Sequence, residues 1–260
     1  MLAIARIVGA VNRLEALSLA AYRAFLRERA VSLPGGAVAF RVDEAPRSPM
    51  VNRIVGLGID QPATEADLEA ALEVLAGTTH YVAVSPAARP PELAAWLEAR
   101  GLERGWGWMQ FQRSLEDIPV PQSALELVEV DASSAPAFAR VVRIAYDLPG
   151  ELEPVLASIV ETPWQGWLAL VDDEPAAAGA LFAEGEGAYL GFAGTLPAHR
   201  GRGAQGALLA TRLRRARELG CRWVATETGE QRPDRPSSSY RNIVRAGFTE
   251  EFVVANWLGR

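Results

Sequence analysis

Lysine is absent from the 260-residue chain, which contains one cysteine, Cys221, and two histidines, His80 and His199. The absence of lysine excludes the P-loop of nucleotide hydrolases, because that motif needs a lysine that reaches the phosphates. A single cysteine excludes an internal disulfide framework and fits a reducing cytoplasm. We interpret Cys221 as a small apolar residue beside a strand rather than a nucleophile. The two histidines show no metal-ligand pairing, so we expect no metal site.

The chain also lacks any apolar run near the roughly 18 residues that a membrane span needs. Its formal net charge of −6 argues against nucleic acid as the main partner. Hydrophobic residues make up 49% of the sequence, which is enough for a globular core. Residues 1–30 carry charges at helical intervals, which predicts an amphipathic helix packed on the protein. A helix lying at a membrane interface is the alternative, but we expect no membrane partner and a cytoplasmic location.

The second half of the chain alternates apolar strands with polar turns and helices. The predicted strands cover residues 167–171, 176–183, 189–196, 223–228 and 252–257, and the predicted helices cover 134–146, 204–219 and 238–245. Within the helix that ends at Leu219, Arg212 interrupts an otherwise apolar face. This order of elements predicts an α+β domain built on an antiparallel-rich sheet.

The segment 200–206, with the sequence RGRGAQG, connects a predicted strand to a predicted helix. Glycine lets the main chain approach a ligand closely and adopt positive φ angles. The first turn of a helix offers unpaired N–H groups and the positive end of the helix dipole, which together favour phosphate. We therefore predict that this loop holds a pyrophosphate-bearing ligand.

The loop also satisfies the dinucleotide-binding pattern G-x-G-x-x-G at Gly201, Gly203 and Gly206. Glu227 even stands at a plausible distance for the acidic residue that binds a ribose. However, only one strand, one short helix and a final strand follow the loop. These elements are too few for the doubly wound sheet of a dinucleotide-binding domain, so we do not expect one.

The loop and its surroundings resemble the GCN5-related N-acetyltransferase (GNAT) superfamily, whose signature Q/R-x-x-G-x-G/A follows a strand and opens the central helix. Arg200 and Gly203 fill the first two signature positions. Gln205 stands where a small residue is usual, with Gly206 one place later, so the approach of the helix to a diphosphate could differ here.

Two further segments of the match, which covers residues 125–260, are similar to GNAT proteins. Residues 195–197, Thr-Leu-Pro, resemble the end of the splayed fourth strand, whose backbone pairs with the pantetheine arm in this family. Residues 239–242 and 246–248 resemble the family's later helix and the turn into its last strands. The resemblance implies the GNAT (acyl-CoA N-acyltransferase) fold, with a mixed, mostly antiparallel sheet flanked by helices.

The first half weakly repeats this plan, since in both halves a helix is followed by glycine, an apolar residue and an apolar strand. Two tandem GNAT copies are therefore predicted, a degenerate domain at residues 1–115 and an acetyltransferase domain at 125–260. A linker at 116–124 contains two prolines, which favour extended backbone. One GNAT domain with an unrelated N-terminal extension is the alternative.

The predicted repeat breaks at the loop. Where the second half has arginine and glycine, the first half has residues 59–63, Ile-Asp-Gln-Pro-Ala. This segment has no arginine and no glycine pair, and Asp60 would repel phosphate. We therefore predict that the first half does not bind coenzyme A.

The resemblance implies transfer of an acetyl group from acetyl-CoA to a primary amine of a small molecule or peptide, directly in a ternary complex. The cofactor-binding residues that it implies are Thr195, Leu196, Arg200, Gly201, Arg202, Gly203, Ala204, Gln205, Gly206, Ala207 and Asn242.

The implied catalytic residues are Glu227 as base and Tyr240 as the acid that protonates the thiolate. The family's usual tyrosine position holds Ile243 here, and Tyr240 lies one helical turn earlier. A packed aromatic ring at Tyr240 and a solvated carboxylate at Glu227 are the structural alternatives.

Two other functions compete with catalysis. One is a non-catalytic acetyl-CoA-binding sensor, and the other is a purely structural pseudoenzyme, which the intact loop disfavours. The sequence does not locate the acceptor pocket, since five aromatic residues fit either a pocket wall or core packing: Trp106, Trp108, Trp164, Trp167 and Tyr146. We expect a monomer or homodimer.

Overall fold

The structure, a computed structural model, describes residues 2–118, 125–232 and 237–260. Its helices are α1 (Leu2–Leu26), α2 (Glu65–Val74), α3 (Leu93–Ala99), α4 (Ala135–Tyr146), α5 (Glu153–Ala157), α6 (Ala204–Glu218) and α7 (Ser238–Arg245). Its strands are β1 (Ala30–Ser32), β2 (Val38–Phe40), β3 (Arg53–Val55), β4 (His80–Val84), β5 (Glu103–Ser114), β6 (Leu127–Glu129), β7 (Gln165–Val171), β8 (Glu174–Glu184), β9 (Gly187–Thr195), β10 (Trp223–Gly229) and β11 (Thr249–Gly259). Within the described ranges, no helix combines the length and apolar character needed to cross a membrane.

The described residues form two compact units that are discontinuous in sequence. The first unit contains residues 2–110, 228–232 and 251–260, and the second contains 111–118, 125–227 and 237–250. The compact units therefore do not follow the linear domains predicted from sequence. Most of the predicted linker, residues 119–124, lies outside the described residues. Descent of the two units from two GNAT copies stays a prediction.

The C-terminal strand is part of the first unit. Strand β11 pairs antiparallel with β4, from Ala255 opposite Val84 to Gly259 opposite His80. Strands β1, β2 and β3 are antiparallel, and β3 and β4 run parallel. Strand β4 is therefore hydrogen-bonded on both sides, once to a neighbour in sequence and once to the far end of the chain.

Helices cover the sheet of the first unit. The buried core contains Leu68 from α2, Leu97 from α3 and Ile54 from β3. Helix α1 buries residues spaced three or four apart, namely Val11, Leu14, Leu17, Ala21 and Phe25. This spacing places them on one face of the helix and confirms the predicted amphipathic helix.

The second unit contains a sheet in which β6, β7, β8 and β9 are antiparallel neighbours and β10 runs parallel to β9. A Cβ at Gly166 of β7 would contact Phe138 of α4, whereas the neighbouring Trp167 lines a groove with Ala210 of α6. Adjacent residues of a strand point to opposite faces, so α4 and α6 cover opposite faces of this sheet. The α+β class predicted from sequence is confirmed.

Candidate functional site

Strands β9 and β10 pair only over their first halves. Their parallel register runs from Gly187 opposite Trp223 to Leu190 opposite Thr226. At the last pair, the Thr226 hydroxyl donates a hydrogen bond to the Leu190 carbonyl at 2.9 Å. The strands separate beyond this point, so the main chain of β9 after Leu190 offers an edge with which an extended ligand can pair.

A β-bulge interrupts β9 at the same place. Ala180 of β8 is opposite Gly191, but Ala178 is opposite Gly194, so β9 contains one residue more than its partner. Phe192, inside the bulge, has a positive φ of 54°. Bulges re-aim the backbone and are common next to active sites. Glycine inside a strand often marks such a bulge, and Gly191 and Gly194 lie at this one.

The two glycines of the bulge are required by packing. A Cβ at Gly191 would lie 2.8 Å from Cη2 of Trp164, and one at Gly194 would collide with Cβ of Ala145. Contacts under 3.0 Å are not seen for real Cβ atoms. Side chains beside the sheet therefore occupy the space next to both glycines.

The loop after β9 leads into an uncapped helix. Gly201 and Gly203 have φ angles of 80° and 82°, and a Cβ at either would meet nothing within 4 Å. Gly203 is the N-cap of α6, no side chain caps this helix, and its first turn contains no acidic residue. The first main-chain bond of the helix is donated by Ala207 N–H to Gly203 O at 3.1 Å. The N–H groups of residues 204–206 precede it and line a cradle of the kind that favours anions.

Gln205, where the family signature has a small residue, ties the start of α6 to the end of β9. Its Nε2 donates to the Gly194 carbonyl at 2.8 Å and to the Thr195 hydroxyl at 3.1 Å. The side chain therefore lies against the sheet and leaves the cradle open. The difference from the signature adds a connection between the phosphate loop and the strand.

Two arginines surround the cradle. Arg200 and Arg202 are exposed, and Arg202 Nη1 lies 3.4 Å from the Asp172 carboxylate at the β7–β8 turn. His199 is half-buried, and its buried Nδ1 has no hydrogen-bond partner among the residues that the structure describes. Guanidinium groups make charge-assisted hydrogen bonds with phosphate, so their charge fits the predicted ligand.

Two residues of the predicted cofactor set already use their main-chain groups. The Leu196 N–H donates to Ala176 O, and its carbonyl accepts from His199 N–H, both at 2.9 Å. Ala207 N–H is used inside the helix. The main-chain groups of Leu196 and Ala207 are thus already bonded within the protein, and the cofactor-binding roles of both residues stay predictions.

Tyr240 and Asn242 lie on α7, and both are half-buried. The Tyr240 ring packs edge-to-face on Phe111, with ring centroids 5.1 Å apart. Burial, and then the hydrogen bond and charge of Glu250, raise the pKa of Tyr240 to about 12. A hydroxyl of so high a pKa, already donated to a carboxylate, is a weak acid for a thiolate.

Glu227 lies just beyond the last β9–β10 pair. Its charge affects the pKa of Tyr146, a residue that the sequence did not indicate as catalytic. Burial, followed by the negative charge of Glu227, raises the pKa of Tyr146 to about 12, against the opposing charge of Arg212. The Tyr146 hydroxyl also hydrogen-bonds the main chain of Ala193, inside the bulge. Tyr146 ends α4 and Glu227 lies on β10, so no local pattern links them.

The family model described as "Acetyltransferase (GNAT) family" matches residues 138–235, from within α4 to just after β10. Residues 138–235 are thus similar to a GNAT domain. The match contains the bulge, the loop, the cradle and Glu227. The match and the fold support acyl transfer in general.

Solved structures show the same fold over nearly the whole chain. A GCN5-related N-acetyltransferase from Kribbella flavida is 21% identical, with 96% of this chain and 95% of that chain covered and a TM-score of 0.66. One from Sphaerobacter thermophilus is 15% identical, with 88% and 79% covered and a TM-score of 0.62. A tandem GNAT protein from the clavulanic acid biosynthesis pathway is 17% identical, with 86% and 80% covered and a TM-score of 0.58. No curated protein matches the sequence. The predicted GNAT fold is confirmed.

Proposed function

We propose that the protein transfers an acetyl group from acetyl-CoA to a primary amine of a small molecule or peptide. The observation that carries this proposal is the uncapped start of α6, where open glycines at positive φ and exposed arginines follow directly after the bulged strand. A diphosphate bound there places an extended pantetheine arm along β9. Its thioester then lies near the bulge and the β9–β10 separation.

The reaction is the attack of a neutral amine nitrogen on the thioester carbonyl. A C–N bond forms, the C–S bond breaks, the amine loses a proton and the thiolate gains one. Glu227 is the proposed proton acceptor, directly or through water, because it lies at the strand separation. Tyr240 is the tyrosine nearest to the family's proton-donor position, and Tyr146 is a second hydroxyl, hydrogen-bonded to the bulge. Holding both substrates in one geometry supplies much of the acceleration.

A non-catalytic acetyl-CoA sensor is the second candidate, and one observation favours it. The Tyr240 hydroxyl is hydrogen-bonded to Glu250, and the family's tyrosine position holds Ile243, which is buried. A sensor needs the cradle but no proton donor. Turnover separates the two functions.

Calorimetry with acetyl-CoA tests the cradle. Gly203→Asp adds a negative charge at the start of α6 and should abolish binding. Gly220→Asp is the matched control, because Gly220 has a φ of 84° and its added Cβ also meets nothing within 4 Å. Both variants carry the same backbone strain and the same charge. Unchanged affinity in Gly203→Asp, or equal losses in the two variants, would refute the cradle.

Release of free thiol from acetyl-CoA, measured with a broad panel of primary amines, tests transfer. Amine-dependent release that falls strongly in Glu227→Gln supports the proposed enzyme. Binding of acetyl-CoA without release from any amine of the panel supports the sensor. Absence of binding in the wild type would remove both functions. We place the reaction in the cytoplasm, where acetyl-CoA and reduced Cys221 are compatible.

A further inference from the structure

Arg212 is a buried cation in the middle of α6. Only 2% of the residue is exposed, and within the described residues no ion pair includes it. Burial lowers the pKa of its guanidinium to about 10. Burying a charge without an opposite charge is costly unless hydrogen bonds compensate. The hydrogen bonds of Arg212 therefore indicate what compensates for the burial of its charge.

The guanidinium occupies the break in the ladder between β8 and β9. Arg212 Nη1 lies 3.4 Å from the carbonyl oxygens of Ala180 and Gly191, which are opposite each other at one edge of the bulge. Its Nε donates to Leu208 O at 3.1 Å within α6. A Cβ at Gly179, inside the register shift, would lie 2.9 Å from Arg212 Cζ. Gly179 therefore leaves the space that the guanidinium fills.

We propose that Arg212 is a positioning residue, which holds the bulge of β9 in the geometry needed to bind the acyl end of acetyl-CoA. This inference rests on the proposed function. A bulge leaves ladder carbonyls without regular partners, and one planar guanidinium provides donors to both strands at once. The cation also lies near the Tyr146 hydroxyl, which bonds Ala193 in the same bulge. Arg212 is thus connected to the site through the main chain of residues 191–194.

The test compares acetyl-CoA with adenosine 3′,5′-bisphosphate, which has phosphates but lacks both the pantetheine arm and the acetyl group. Arg212→Met removes the donors, and Gly179→Ala displaces the guanidinium while keeping its charge. In both variants, acetyl-CoA affinity should fall by about tenfold, the equivalent of about one good hydrogen bond, while affinity for the bisphosphate stays within about threefold. Arg217→Met, on the exposed side of the same helix, is the control and should change neither affinity.

Amide hydrogen exchange gives a second readout that does not depend on a ligand. Exchange at residues 191–194 should accelerate in Arg212→Met and Gly179→Ala, with no change at residues 201–206. Equal losses for both ligands, or unaltered affinity and exchange in folded variants, would overturn the positioning role. If the wild type binds neither ligand, the proposed function fails instead, and exchange at the bulge still decides whether Arg212 holds it.

Discussion

The N-termini of α2 and α6 differ in how their first N–H groups are bonded. At α2, the Thr64 hydroxyl accepts from Asp67 N–H at 3.1 Å, and the Asp67 carboxylate accepts from Thr64 N–H at 2.8 Å. At α6, the N-cap is Gly203, and neither a side-chain cap nor an acidic residue is present in the first turn. A capped and acidic helix start repels anions, whereas an uncapped one attracts them. The bonding of the first N–H groups, rather than the place of a helix after a strand, thus distinguishes the two helix starts.

The loops that precede α2 and α6 also differ in the main-chain groups that they present. Before α2, Arg89 Nη2 donates to the carbonyls of Ile59 and Asp60, at 3.0 and 3.2 Å. The Arg89 main chain also bonds Gly58 O and Ala63 N–H. This loop therefore presents carbonyls to an internal cation, whereas the loop before α6 leads to N–H groups that precede the first helix bond. The contrast supports the prediction that the first half does not bind coenzyme A.

The largest effect on acetyl-CoA affinity is expected when α6 is given the acidic residue that α2 has in its first turn. Gly206 is at the third helical position of α6, as Asp67 is in α2, and a Cβ there would meet nothing within 4 Å. We expect Gly206→Asp to weaken acetyl-CoA binding by about a hundredfold, because like charges in close contact cost several kcal/mol. The melting temperature should not fall, since an acidic first turn stabilises a helix.

Calorimetry and thermal unfolding measure the two effects in the same samples. Gly206→Asn, which has nearly the same shape without the charge, should retain most of the affinity. Equal affinities for the Asp and Asn variants would show that phosphate does not bind at this helix start.

Removing the cap of α2 gives the complementary, smaller effect. Thr64→Ala should lower the free energy of unfolding by about 1 kcal/mol, the usual cost of losing an N-cap hydroxyl. Chemical denaturation measures this loss. Acetyl-CoA affinity should remain unchanged, because α2 has no part in the cradle. A gain of phosphate binding on uncapping α2 would show that the cap alone, and not the loop, prevents it.

Local patterns predicted much of the fold and of the cradle. The loop that ends at Gly206 and the helix 238–245 are encoded by residues a few positions apart. The structure confirms that the loop leads into α6 and that α7 covers the second segment, as expected. The binding roles of the loop residues stay predictions.

Local sequence patterns did not predict the long-range contacts. Nothing near Asn256 indicates that its strand pairs with the strand of Ala83. Likewise, Arg212 was visible only as an interruption of an apolar face, and its use became clear when the bulge placed two carbonyls beside it. Patterns read along one chain describe each element but not its neighbours in the sheet.

Helix α4 provides a third helix start, and a carboxylate just before its N-cap, Ser134, makes it sensitive to pH. The Asp131 carboxylate accepts from the N–H groups of Ser133 and Ser134, both at 2.9 Å. Its hydrogen bonds with the Ser133 side chain and then with Ser134 lower the pKa of Asp131 from 3.8 to about 2. Because the pKa is lower in the folded state, the stabilisation is complete above pH 3.8 and is lost as the pH falls towards 2.

Unfolding of the wild type and Asp131→Asn across this range measures the effect. The difference in stability between them should shrink as the solution becomes more acidic. A difference that stays constant with pH would contradict the assigned hydrogen bonds.

The smallest expected effect concerns the ion pair at the edge of the cradle. Asp172 is largely exposed and lies 3.4 Å from Arg202, so it competes with a phosphate for the same guanidinium. Asp172→Asn should tighten acetyl-CoA binding by no more than about threefold, because exposed pairs contribute little. Calorimetry at low and high salt measures it, and the gain should shrink at high salt, where exposed charges are screened. A gain in affinity that persists at high salt would mean that Asp172 acts through the shape of the β7–β8 turn. Weaker binding in the variant would mean that the carboxylate holds Arg202 in place for the phosphate instead of competing with it.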